Sequence, residues 1–314
     1  MKLYPDRAQA AIQSSVAGPL NMTVEEAAAG MFAVINSNMA DGIREVSVRR
    51  GHDPRDFPLV VAGGAGPIHA GIIALELEIP LLIIPRASSI FCAAGMLLSD
   101  LKHNFVRTYP TPLAALDRGR LADLCAAMAG EAQATLDGER APRERQRLHF
   151  SVDLRYIGQY HEVNVSLAPE EAMSLDLDAL GGRFHARHDQ LYGYSVPNSS
   201  VELVTVRLTA IGETDKPRLP RLPRSERRPP DSSHLLKSHR RAYLPSARDF
   251  AELPVYDGDA LRFGNRLSGP ALIEQTNTTV FVPEEYKLWC DPLGSFVLYL
   301  KTRAAEFEAR LMIN

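Results

Sequence analysis

The sequence has three cysteines, one tryptophan, and no apolar run near the roughly 18–20 residues that a helix needs to cross a bilayer. Cys92, Cys125 and Cys290 are scattered and odd in number, which excludes a disulfide framework and a zinc knuckle. Cys125 sits among alanines, as a small buried hydrophobe does. Neither Cys92 nor Cys290 has a basic neighbour to favour a thiolate. The N-terminus, Met1-Lys2-Leu3-Tyr4-Pro5-Asp6-Arg7, holds no apolar signal core, so a reducing cytoplasm is the expected compartment and no membrane is expected as a partner. Neither charge sign dominates. Lys and Arg number 35 against 38 Asp and Glu, a net charge of −3, which argues against a dedicated nucleic-acid binder. Ser-His-Asp, Cys-His and Gly-x-Ser-x-Gly arrangements are also absent.

What is present is an ordinary globular composition, 45% hydrophobic and 23% charged over 314 residues. That length suits two domains, or one large domain with an appendage. Thr23 and Glu26 have the spacing of a capping box. Behind them Met31, Val34, Ile35, Met39, Ile43 and Val46 recur at helical spacing, which predicts one amphipathic helix over residues 23–50. Its apolar face needs a cover, and a partner or self-association surface is expected there. Phe57-Pro58-Leu59-Val60-Val61-Ala62 is a short continuous apolar run, as in a strand buried on both faces. Gly63-Gly64-Ala65-Gly66-Pro67 follows. Ile68, Ile72, Ile73, Leu75 and Leu77 then predict a second helix, and Leu81-Leu82-Ile83-Ile84 a second strand. Strand, glycine turn, helix and strand make a βαβ unit, whose ligands bind at the carboxyl ends of the strands. A further helix is predicted over Ser89–Leu101.

The character changes after Asp100. Pro112 to Asp137 reads as a helix. From Leu148 the period is two, in His149–Tyr156, Glu162–Leu167 and Val201–Ile211, and again in Ala271–Glu274, Thr278–Val282 and Ser295–Leu300. The expected fold class is therefore an α/β N-terminal part followed by a β-rich C-terminal region. The expected boundaries are residues 1–108 for the α/β part, 109–145 for a helical connector, 146–214 for a β-rich domain, 215–245 for a Pro/Arg-rich linker and 246–314 for a β-rich C-terminal segment. Residues 216–241 hold five prolines and nine Lys or Arg against Glu226 and Asp231. They read as a solvated linker. An arm lying on an acidic face of a partner is the second reading. Nucleic-acid contact is the third, although no aromatic residues are interleaved for stacking.

The glycine turn lets backbone approach a ligand closely, and the helix start behind it offers free N–H groups. It is no Walker loop, since no Gly-Lys-Ser/Thr follows. Nor is it a dinucleotide fingerprint, because His69 stands where the third glycine belongs. A tight turn without a ligand remains open, and His69 reads as a catalyst or as a hydrogen-bonded packing residue. His185 and His188 share a helix face. They read as a solvated polar face, or as half of a metal site that lacks further ligands.

Several segments resemble the hydantoinase A / 5-oxoprolinase family. They are Arg49-Arg50-Gly51-His52-Asp53-Pro54-Arg55-Asp56-Phe57, Gly63-Gly64-Ala65-Gly66-Pro67-Ile68-His69-Ala70, and Cys92–Asp100 with His103–Thr108. Asp153–Gln159, Phe184-His185, Leu191–Tyr194 and Gly269–Glu274 resemble it too, in order along nearly the whole chain. The resemblance implies an actin-like ATPase fold, of which residues 1–108 would be a partial lobe. It implies ATP and a divalent metal as cofactors of an assembled complex, with Gly63, Gly64, Ala65, Gly66, Pro67 and His69 on the nucleotide. It assigns no catalytic residue and no metal ligand. The family's Asp-x-Gly-Gly-Thr phosphate loop and metal-positioning acids have no counterpart in this sequence, so the chain is expected not to hydrolyse ATP alone.

The implied function is that of a subunit of a multi-subunit ATP-dependent carboxylase. Its substrate would be an acetophenone-type ketone, with bicarbonate as carbon source and a β-keto acid as product. Larger hydantoinase A-like and hydantoinase B-like subunits are the implied partners. A non-catalytic assembly subunit, or the C-terminal half of an ATP-dependent hydantoinase or 5-oxoprolinase, are the alternatives.

Overall fold

The computed structural model describes residues 4–168, 171, 176–218, 220–225, 232–244, 247 and 249–311. In chain order the first elements are α1 (Pro5–Ile12), α2 (Gly18–Leu20), α3 (Val24–Ser47), β1 (Leu59–Val60), α4 (Gly66–Glu76), β2 (Leu81–Ile84) and α5 (Phe91–Leu98). Next come β3 (Leu101–Pro112), α6 (Arg118–Gly138), β4 (Gln146–Tyr156), β5 (Val163–Leu167), α7 (Leu177–Tyr192) and β6 (Val201–Gly212). The last are β7 (Leu236–Leu244), β8 (Asp249–Asp257), β9 (Arg266–Ser268), β10 (Ala271–Gln275), β11 (Thr278–Val282), β12 (Tyr286–Cys290), β13 (Phe296–Leu300) and α8 (Ala304–Leu311). An α/β N-terminal part thus precedes a β-rich region. Among the described residues no helix is long and apolar enough to cross a membrane. The chain divides into two compact units, residues 1–95 with 218–314, and residues 96–217.

The first unit contains the βαβ crossover. β1 and β2 are parallel, with Leu59 opposite Leu82, and α4 connects them. The sheet runs β1-β2-β13-β12-β9, so a strand from residues 296–300 lies against β2, with Leu298 opposite Leu82. A second sheet of the same unit runs β11-β10-β8-β7. Leu82, Ile84, Leu288 and Leu298 share one core with Ile273, Val280 and Val282 of the second sheet. Each such side chain contributes about 1.5–3 kcal/mol by leaving water.

Two departures from the sequence pattern appear here. Among the described residues β1 is the edge strand of its sheet, and Val60 is 52% exposed, so one of its faces is uncovered and it is not a strand buried on both faces. The segment read as a linker also holds strand β7 from Leu236 onward, paired antiparallel with β8. Glu226 and Asp231, the two acids of that segment, lie outside the described residues.

α3 starts with the expected capping box. The Glu26 backbone N–H donates to Thr23 Oγ1, and the Thr23 backbone N–H donates to the Glu26 carboxylate. Such a cap is worth about 1 kcal/mol. The helix buries its small side, through Ala27, Asn36 and Ala40. The large apolar residues Met31, Val34, Ile35 and Val46 are exposed.

The second unit is an antiparallel sheet, β3-β6-β4-β5, with β6 as an inner strand paired on both sides. Leu203, Val206, Leu208 and Ala210 of β6 face a core shared with α6 and α7, the alternation shifting between Leu203 and Val206 where the pairing with β4 changes register. α6 supplies Leu121, Cys125, Met128, Ala132 and Leu136, spaced by three and four, and Asp117 caps its start by accepting from the Arg120 N–H. α7 supplies Leu180 and Phe184. Burial pushes the Cys125 thiol up to about 11 and the Cys290 thiol up to about 12, so neither is a ready thiolate nucleophile.

Candidate functional site

β1 and β2 run parallel, so the turn after β1 and the loop after β2 emerge at the same end of the sheet. The Gly63 N–H donates to the Ser88 carbonyl at 2.7 Å and ties the two segments together. Gly63 has φ +96°, a conformation that favours glycine. Gly66 is glycine for another reason, since a Cβ there would lie 3.1 Å from Val61 Cγ1. The hairpin between β10 and β11 closes the third side. Thr278 donates its hydroxyl to the Gly64 carbonyl at 2.7 Å. Gly63, Gly64 and Ala65 remain exposed at the surface, and Pro67 is buried beneath them.

The turn retains N–H groups for a ligand. Those of Gly64 and Ala65 have no partner among the described residues. The helix that begins at Gly66 brings its positive end to the same place. Two features limit the charge this site can hold. Pro67 has no N–H, and the Ile68 N–H is spent on the Ala65 carbonyl at 3.1 Å. No Lys or Arg lies between Gly63 and Ala70. Two or three neutral donors suit a ribose, a base or a single phosphate oxygen. A triphosphate needs cationic groups or a metal in addition. Among the described residues no three His, Cys, Asp or Glu side chains lie close enough to hold a metal ion. The hydroxyls of Ser88 and Ser89 lie behind the turn, buried and without a partner among the described residues.

His69 lies one turn along α4, on the side that meets α3. Its Nδ1 is 3.0 Å from Asn36 Oδ1, and its ring stacks on Phe32 with centroids 5.0 Å apart. Asn36 Nδ2 donates to the Phe32 carbonyl, which turns Oδ1 toward the histidine. His69 Nδ1 therefore carries the hydrogen. Gly63, Gly64 and Ala65 form one surface, while His69 joins the two helices. The sequence alone did not single out Asn36, Ser88 or Thr278. Asn36 left a signal, a lone amide on the small-residue side of α3. Thr278 left none, since it stands 214 positions from Gly64.

The family-like segments of the second unit converge elsewhere. Tyr156, Phe184, His185, His188 and Tyr194 form a packed ring cluster, with Tyr156 4.9 Å from both Phe184 and His188. His188 is 2% exposed and Nδ1 lies 2.8 Å from the Tyr194 carbonyl. It therefore belongs to the core and not to a solvated polar face, because the chain after α7 folds back over it. His185 Nδ1 is engaged by the Tyr156 hydroxyl at 2.8 Å, so the pair does not jointly face a metal. Burial, with His188 nearby, lowers the His185 pKa.

A model of the hydantoinase/oxoprolinase family matches residues 1–105, and one of the hydantoinase/oxoprolinase C-terminal domain matches residues 119–299. Caprolactamase subunit alpha of Pseudomonas jessenii is 34% identical over 291 residues, covering 92% of this chain and 41% of that protein. The acetophenone carboxylase gamma subunit of Aromatoleum aromaticum is 28% identical, covering 95% of this chain and 41% of its own length. The nucleotide-free structure of acetone carboxylase, described with a mechanism of ATP-dependent acetone carboxylation, superposes with a TM-score of 0.77 at 25% identity. That match covers 96% of this chain and 43% of the other. The chain thus spans about two fifths of the length of these relatives.

Proposed function

Because this chain belongs to the hydantoinase/oxoprolinase family, we propose that it is part of an ATP-dependent enzyme acting on a carbonyl compound, with the turn Gly63–Pro67 on the nucleoside side of the nucleotide. The observation that carries this reading is the pair of unpartnered N–H groups at Gly64 and Ala65. They stand at the carboxyl ends of two parallel strands, where open α/β sheets bind ligands. His69 supports the site through Asn36 and Phe32. When bound, ATP would turn an oxygen of the substrate or of bicarbonate into a leaving group. The residues of this chain would hold and orient the nucleoside end of that cofactor.

The other cationic and metal-binding parts are proposed to come from further polypeptide, corresponding to the portion of the relatives that this chain does not span. The lobe that holds β1, α4 and β2 would then be one part of an actin-like ATPase. The exposed Met31, Val34, Ile35 and Val46 on α3 offer a surface for such a partner, of the hydantoinase A-like or hydantoinase B-like kind. The isolated chain is expected to be inactive.

Two substrate classes share this chemistry. An acetophenone-type ketone, carboxylated with bicarbonate to a β-keto acid, fits the similarity to the acetophenone carboxylase gamma subunit. A cyclic amide, hydrolysed with ATP, is favoured by the higher identity to caprolactamase subunit alpha. A non-catalytic scaffold is the competing class. Calorimetric titration of the assembled complex with ATP separates them. Gly64→Val is expected to weaken binding at least tenfold, and unchanged affinity would leave the scaffold reading standing. Met31→Asp together with Val34→Asp should impair assembly without altering the far-ultraviolet spectrum of the chain alone.

A further inference from the structure

We propose that residues 96–217 carry a small-molecule site of their own, a groove in which His185 Nε2–H donates to the carbonyl oxygen of an uncharged ketone or amide with an apolar body. The inference goes beyond the nucleotide reading and does not depend on the glycine turn.

A relay of hydrogen bonds sets the donor. The Val196 N–H donates to Tyr156 Oη at 2.7 Å. Tyr156 is 4% exposed, so its own hydroxyl hydrogen needs an acceptor inside the protein. His185 Nδ1, 2.8 Å away, is that acceptor. The imidazole therefore carries its hydrogen on Nε2. Nε2 has no partner among the described residues. The ring cannot swing freely, because it stacks on Tyr156 with centroids 5.5 Å apart and packs against Phe184 at 5.4 Å. Burial and the neighbouring His188 disfavour a second proton, so the group is a neutral donor near pH 7.

His185 lines a groove of about 890 Å³, which is ample for a small organic molecule. Leu113, Ile157 and Val201 supply apolar wall. Gly182 leaves the helix side open, since a Cβ there would meet nothing within 4 Å. Charge decides the ligand class. Among the described residues no Lys or Arg lines the groove, and Asp178 does. A carboxylate or phosphate would find no counter-charge and one repelling carboxylate, whereas a carbonyl needs only the single N–H.

The test uses the full chain labelled with ¹⁵N-histidine. Acetophenone serves as the uncharged probe and benzoate as its anionic counterpart. A saturable shift of the His185 Nε2–H resonance with acetophenone, and none with benzoate at the same concentration, is expected. A Cβ at Gly182 meets nothing within 4 Å and leucine suits a helix, so Gly182→Leu should keep the unfolding temperature and cut acetophenone affinity at least tenfold. Tyr156→Phe removes the hydrogen that fixes the tautomer and should move the two ring nitrogen shifts toward each other. The proposal is overturned by no saturable shift up to the solubility of acetophenone, by an equal response to benzoate, or by an unchanged affinity in a folded Gly182→Leu chain. Neither arm contains nucleotide, so the outcome is separate from that of Gly64→Val.

Discussion

Thr278 donates its hydroxyl hydrogen to the carbonyl oxygen of Gly64 at 2.7 Å and so holds the β10–β11 hairpin against the exposed glycine turn. The contact keeps the Gly64 carbonyl occupied, while the Gly64 and Ala65 N–H groups have no partner among the described residues. Thr278→Val keeps the side-chain shape and deletes the donor. It should cost about 1 kcal/mol of stability, with Thr278→Ser retaining most of it, as urea unfolding of the three chains will measure. If the turn meets nucleotide, the same variant should also weaken ATP binding by the assembled complex.

Asn36, which is buried, and His69, which is half-buried, link α3 to α4. Asn36→Ala strands the His69 Nδ1–H and removes the bond to the Phe32 carbonyl, an expected loss of about 1–3 kcal/mol. His69→Ala loses the same hydrogen bond from the other side. A double-mutant cycle should return a coupling of about 0.5–3 kcal/mol, and simple additivity would show that the pair is not an energetic unit.

Glycines inside helices separate close packing from propensity. A Cβ on Gly71 of α4 would lie 2.5 Å from Pro283 Cγ, so Gly71→Ala should destabilise by about 1–3 kcal/mol through forced displacement. Gly42 of α3 and Gly130 of α6 have nothing within 4 Å of a Cβ. Alanine at either is expected to stabilise by about 0.5–1 kcal/mol. Thermal unfolding of the three variants checks the contrast in sign.

The lowered pKa of His185 makes a pH dependence of known direction. An unfolded chain takes up this proton near the ordinary value of 6.5, while the folded chain does so only at lower pH. The unfolded state thus binds more protons as pH falls through 6.5, and stability declines on the acid side. Above about pH 7.5 the group is neutral in both states and the contribution is complete. The protonated ring also loses Nδ1 as an acceptor for Tyr156. His185→Gln should flatten this part of the stability profile between pH 5 and 7.5, measured as the difference from the parent chain. A difference that grows in the opposite direction would contradict the assignment.

Local patterns made part of the fold legible. The Thr23–Glu26 spacing marked the start of α3 because both partners of a capping box lie within one turn. The strands of the second half showed as alternation, because a pleated strand sends successive side chains to opposite faces. The glycine turn announced itself beside β1, and the family-like segments marked both units. The fate of the apolar residues on α3 was not legible. Periodicity shows that a face is apolar, and only the neighbours that are present decide whether it is covered. Here the small side is packed and Met31 and Val34 stand in solvent.

Short-range order was written in the local pattern of the chain: helix caps, strand alternation, the glycine turn and its place between two apolar strands. The tertiary structure alone decided that β13 pairs with β2, that Thr278 closes on Gly64, that Asn36 holds His69, and that Tyr156 hands a hydrogen to His185. The physical reason is separation along the chain. Caps and periodic faces are satisfied within a few residues, whereas these bonds join partners dozens to hundreds of positions apart, and hydrogen-bond satisfaction in a packed interior selects them.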